Sequence, residues 1–198
     1  MKAGSLLLVG SLALVGGCAD REVAAAERGC AAVVDSAVPI AVALERFRSD
    51  LPRPGGLIGG RASREDLIRG FVAALETSDT AGLNRMLLRR DEFAWFYYPS
   101  SHLSQPPYEL PPELLWFQFR GQSEKGASLL LSERAGRPLG YAGHDCATER
   151  LEGDNRIYGH CVLRRITPAG DMLGERLFGL VLERDGTFKF VSYANKLD

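Results

Sequence analysis

Histidine and cysteine are scarce in this chain, with three of one and four of the other among 198 residues. The histidines, His102, His144 and His160, are scattered, and no H-x-x-x-H, H-E-x-x-H or C-x-x-C spacing occurs, so no metal site is indicated. Gly55-Gly56-Leu57-Ile58-Gly59-Gly60 is glycine-rich but follows no strand pattern and lacks the Gly-Lys-Ser/Thr ending of a phosphate loop. No Gly-x-Ser-x-Gly nucleophile elbow appears, and no cofactor is implied. An excess of either charge is missing too. Twenty-four Lys+Arg against 25 Asp+Glu leave no basic stripe to displace counterions from a nucleic acid. What remains is the composition of a folded domain, 45% hydrophobic and 25% charged.

The N-terminus carries the clearest motif. Lys2 is a positive n-region, Leu6 to Val15 form an apolar run, and Gly16 and Gly17 follow it. This is the pattern of a secretory signal peptide over residues 1–17, too short for a stable membrane span. Leu14-Val15-Gly16-Gly17-Cys18 resembles the lipobox of bacterial lipoproteins. The resemblance implies cleavage before Cys18 and acylation (palmitate) of that residue, and several acyl chains together hold a protein stably on a membrane. Ala19 stands where an Asp would resemble an inner-membrane retention signal. The expected address is therefore the outer membrane, facing the periplasm. There Cys30, Cys146 and Cys161 remain in an oxidising compartment with room for one intramolecular bridge.

Residues 18–61 read as a lipidated tether with short helices, either a spacer or a docked segment, the second helix amphipathic through Ile40, Leu44 and Phe47. Pro52, Pro54 and paired glycines interrupt it. The domain proper is expected over 62–198. Ser63-Arg64-Glu65-Asp66 resembles a capping box, and Leu67, Ile68, Phe71, Val72 and Leu75 follow at helical spacing. Ser78 or Asp79 caps a second helix bearing Leu83, Met86 and Leu87. The aromatic run Phe93–Tyr98 reads as a strand buried on both faces. A proline-rich loop then leads to Pro111-Pro112, which suits the first turn of a long helix. Tyr108, Trp116, Phe117 and Phe119 gather around that loop as a pocket rim or partner surface. From Pro138 onward the period is two, and four strands can be drawn over 138–150, 156–167, 172–183 and 187–195. Asp185-Gly186 between the last two is a strong hairpin signal.

Helix, helix, strand, long helix and a four-stranded meander form an element order similar to that of the nuclear transport factor 2-like (SnoaL-like) superfamily. The resemblance implies an α+β cone over 62–198, in which a curved antiparallel sheet wraps the helices around an apolar pocket. It is nearly silent on activity, since that fold hosts enzymes and binding modules alike.

Cys146 and Cys161 are equidistant from a turn centred on Gly153-Asp154, so they face each other across a hairpin and are expected to bond. Strict alternation from that register puts Cys146 with His144, Thr148, Ile157 and Leu163. The opposite face carries Tyr141, Asp145, Tyr158 and His160, and its aromatic character assigns it to the concave side. With Trp95 and Tyr97 these residues make a candidate pocket, although an aromatic run is more often core. Two functions follow. One is a non-catalytic envelope module that holds a small apolar ligand or docks an envelope protein. The alternative is a small hydrolase or isomerase, with Asp145 orienting His160 as a general base.

Overall fold

The computed structural model describes residues 38–194 and Lys196. Cys18, Cys30 and the signal peptide therefore lie outside the described residues. Among the described residues five α-helices and five strands occur in the order α1 (Ile40–Arg48), α2 (Arg64–Glu76), α3 (Thr80–Met86), α4 (Arg90–Glu92), α5 (Pro112–Arg134), β1 (Tyr141–Glu152), β2 (Asn155–Ile166), β3 (Met172–Glu175), β4 (Val181–Arg184) and β5 (Thr187–Phe190). No described helix is long and apolar enough to cross a membrane.

The helix signals are local and act as read. Ser63 caps α2, its hydroxyl accepting from the Asp66 amide, and Asp79 caps α3 through the Gly82 amide. α5 starts on Pro112, where a missing amide donor costs nothing. The boundary expected at residue 62 falls inside the folded unit, because the segment before it is docked. Phe47 of α1 and Leu57 are buried in the core, and Arg61 exchanges two backbone hydrogen bonds with Phe188 of β5. Gly60 permits that approach, since a β-carbon there would lie 2.8 Å from the Phe188 carbonyl.

Phe93–Tyr98 is helical, not a strand. α4 runs on into a π-helical turn, Phe93–Tyr97, and a 3₁₀ turn, Tyr98–Ser100. Aromatic content favours a strand only where a pleated surface exists to receive it. Here Phe93, Ala94, Phe96, Tyr97 and Tyr98 are all buried, as suits a helix apolar all round.

The sheet is antiparallel with strand order β1-β2-β4-β5, and β3 pairs with another stretch of β2. It is an open sheet with β1 and β5 on its edges and does not curve around the helices, so the expected cone is not formed. Two local facts explain this. The aromatic segment that would have added a strand is helical, and the run expected over 172–183 is interrupted. Its residues 176–180 leave the pairing with β2 and bury Leu177 and Phe178, while Leu177, Gly179 and Leu180 keep backbone hydrogen bonds to residues 191–194. Asp185 and Gly186 turn β4 into β5 with φ of +50° and +72°, the pair of positive values the sequence calls for.

Cys146 and Cys161 are directly paired across β1 and β2 and form a disulfide. The hairpin closes on a two-residue turn, with Glu152 opposite Asn155 and only Gly153-Asp154 between them. Alternation, however, slips at His160, whose φ of +51° is left-handed. Ile157 packs in one core and Tyr158 against the other, but Cys161 and Leu163 then join the core that Tyr158 touches. The single concave face inferred from strict alternation therefore does not exist.

Two cores result. One lies between α2, α3 and the sheet, around Phe71, Phe178, Phe190 and Tyr193. The other gathers Phe47, Leu57, Phe93, Tyr97 and Leu115 with Ile157 and Leu182. At their junction Lys189 and Glu92 are fully buried and paired, Nζ to Oε2, at 2.8 Å. Lys189 also donates to the Ile58 carbonyl at 2.8 Å, and Glu92 accepts from the Ile58 and Arg89 amides. Burial pushes the Lys189 pKa down while the Glu92 carboxylate holds it up.

Lys189→Met should strand the Glu92 charge and destabilise the domain by about 3–5 kcal/mol in denaturant unfolding. Replacing Cys146 and Cys161 together by Ala should cost about 3 kcal/mol, because the closed loop is short.

Candidate functional site

The six residues proposed for a pocket are not brought together. Tyr97 is buried in the core, and Trp95 lies on the surface of that core under Arg48, at 4.2 Å. Asp145 is exposed and paired with Arg164. His160 is exposed, and its Nδ1 lies 3.3 Å from the Thr148 hydroxyl. Asp145 and His160 thus have separate partners, and no acid–base pair forms. The left-handed His160 backbone explains the failure, since it breaks the face parity that placed the two residues side by side.

Tyr141 and Tyr158 do share surroundings, beneath the first turns of α2. The α2 cap at Ser63 points Arg64 and Glu65 at the sheet, and both engage His144, whose side chain is 7% exposed. Arg64 Nε donates to His144 Nε2 at 3.0 Å, and its guanidinium covers the Tyr158 ring at 4.6 Å. Glu65 Oε2 lies 3.2 Å from His144 Nδ1 and accepts from the Tyr141 hydroxyl at 3.0 Å. The Tyr141 hydroxyl oxygen, Oη, also lies 2.9 Å from Nδ1. An arginine N–H can only donate, so Nε2 is the acceptor and the imidazole proton sits on Nδ1. The tautomer is fixed. Burial first, and the Arg64 charge next, lower the His144 pKa against the opposing pull of Glu65 and Asp145. Burial, reinforced by Glu65, pushes the Tyr141 phenol up to about 12.

Carboxylate, Nδ1, Nε2 is the order in which hydrolases orient a histidine base. Here the working nitrogen is already occupied by Arg64, so the arrangement is a latch between α2 and β1.

A second histidine–glutamate pair closes the other end of the hairpin. His102 Nδ1 lies 2.9 Å from Oε1 of buried Glu152, which also accepts from Arg150 Nε at 2.7 Å. Asn155, beside the turn, donates to the Phe96 carbonyl at 2.7 Å and to Ser100 Oγ at 3.0 Å. The proline-rich loop is thereby pinned to the hairpin tip. Neither Glu65 nor Glu152 is singled out by sequence reasoning. Seventy-nine and fifty residues separate each from its histidine, and no local pattern links them. Among the described residues no group of three or more metal-ligating side chains gathers.

Protonating His144 would put a donor against the Arg64 donor. Its folded pKa is lowered, so the unfolded chain takes up this proton first. The latch therefore contributes fully above the unfolded value of about pH 6.5 and is lost as pH falls from there through the lowered folded value. His144→Gln keeps an acceptor for Arg64 but cannot titrate. Its unfolding free energy should fall less steeply than wild type between about pH 7.5 and 5.5, whereas parallel profiles would contradict the latch. His160→Gln, on the exposed face, should change stability by less than about 0.5 kcal/mol in the same measurement.

No family model, curated protein or solved structure matches this chain, so its function rests on the geometry above.

Proposed function

We propose that the chain is a non-catalytic lipoprotein of the bacterial cell envelope, anchored through Cys18 in the outer membrane, whose domain binds a ligand or partner at its surface in the periplasm. The observation that carries the binding part is the filled interior. Phe71, Phe93, Tyr97, Tyr98, Phe190 and Tyr193 occupy the space between helices and sheet. Whatever binds must therefore sit on the outside, in the clefts between elements. The bonded Cys146–Cys161 pair supports export, because such bridges persist in oxidising compartments. The lipobox pattern Leu14 to Cys18 supports the anchor. A hydrolase or isomerase built on Asp145 and His160 has lost its basis, since each is exposed with its own partner.

Expressed in a two-membrane bacterium, the wild-type chain should fractionate with the outer membrane. Cys18→Ala should move it to the soluble fraction, and retention of that variant in membranes at wild-type level would overturn the anchor.

A further inference from the structure

We propose that the cleft between the α3–α4 connection and α5 binds a small aromatic carboxylate. The proposal rests on the surface-binding reading and supplies its site and ligand class. The cleft has a volume of about 370 Å³ and opens to solvent, a size ordinary for small-molecule sites. Leu87, Leu88 and Val191 form its aliphatic side. Trp116, Phe119, Arg120, Ser123 and Glu124 face it from α5, at the i, i+3, i+4, i+7 and i+8 spacing of one helical stripe.

The aromatic walls are held in place before anything binds. Trp116 packs on Phe93 with ring centroids 5.3 Å apart, and Phe119 packs on Tyr97 at 5.5 Å. Both partners are fixed in the core, so a flat ring entering the cleft meets surfaces that need not reorder. Ser123 is the buried polar residue on this wall.

The rim decides the charge of the ligand. Arg89, Arg90 and Arg120 line the cleft against one carboxylate, Glu124. Arg89 is fixed by two bonds to Asp91, at 3.0 and 2.7 Å. The other two guanidiniums are held by exposed pairs, Arg90 by Asp50 at 3.4 Å while it lies over the Phe47 ring at 4.7 Å, and Arg120 by Glu124 at 2.6 Å, with all four charged side chains well exposed. Exposed pairs of this kind contribute between about 0 and 1 kcal/mol. A carboxylate brought in by a ring seated on Trp116 and Phe119 can exchange for them, and the planar guanidinium matches it with two hydrogen bonds. A cation or a neutral ring lacks that gain.

The test uses the full-length Cys18→Ala chain, so that neither acyl chain nor detergent competes, with 2-naphthoate as probe. Calorimetry should show one saturable site, and chemical-shift changes should centre on the Trp116 indole and the Arg120 side chain. Arg90→Gln/Arg120→Gln should weaken binding about tenfold, and the neutral analogue 2-naphthol should bind wild type at least as weakly as that variant binds 2-naphthoate. Equal affinity for naphthol and naphthoate, or indifference to the double substitution, would overturn the proposal. Saturable binding whose shifts map away from α5 would overturn the cleft and leave the surface-binding reading standing. No saturation at millimolar probe would overturn the ligand class.

Discussion

A lysine and a glutamate with no exposure to solvent must find each other. Removing either charge from water costs several kcal/mol, and the cost is offset only when close pairing is joined by further hydrogen bonds. Lys189 Nζ donates to Glu92 and to the Ile58 carbonyl, and Glu92 accepts from the Ile58 and Arg89 amides. Three distant stretches of chain meet at this one joint: β5, α4 with its cap Arg89, and the glycine-flanked loop around Ile58. Beside Lys189 stands Phe190 in one core, and beside Glu92 stands Phe93 in the other. The ion pair therefore ties the two apolar cores together at one joint. Hydrophobic burial gives the larger stabilisation but little direction. The pair supplies the direction.

The positions of the surface features follow from that joint. With β5 held, Leu88 donates its amide to the Phe190 carbonyl, and Leu87 and Leu88 are set opposite α5 with the aromatic cleft between them. At the other end of the sheet, the left-handed turn of β2 at His160 and the interruption between β3 and β4 occur side by side. The ladder to β3 begins at Leu163, and the ladder to β4 ends at Tyr158. One strand thus serves two partners along a single edge. That division keeps the sheet open and leaves its residues facing different surroundings above and below the break. The disulfide beside the break ties β1 to β2 where their regular alternation is lost.

Features governed by a few neighbouring residues were legible in the sequence. The Ser63 cap, the Asp185-Gly186 turn and the facing positions of Cys146 and Cys161 each depend on local chemistry or on counting from a turn. Features set by tertiary surroundings were not. Thr187-Phe188-Lys189-Phe190 alternates polar and apolar residues, and nothing local marks that the face bearing Lys189 is covered by the Ile58 loop and α4. Phe93–Tyr98 has strand propensity, but its surroundings are apolar on every side, and a buried helix satisfies its own backbone there. His160 carries no mark of a positive φ, and one such residue was enough to undo a face assignment whose register was correct. The candidate site failed for that reason. Its true polar neighbours, Arg64 and Glu65, were legible only as the first turn of a helix.

The Lys189–Glu92 joint belongs to the global fold and is not a locally opening contact, which native-state hydrogen exchange can read at single amides. The Ile58 amide, which donates to Glu92 from a loop, should exchange only through global unfolding, with the same free energy and denaturant dependence as the amides of β4 and β5. Exchange of Ile58 through a local opening well below that limit, while the strand amides stay protected, would contradict the account.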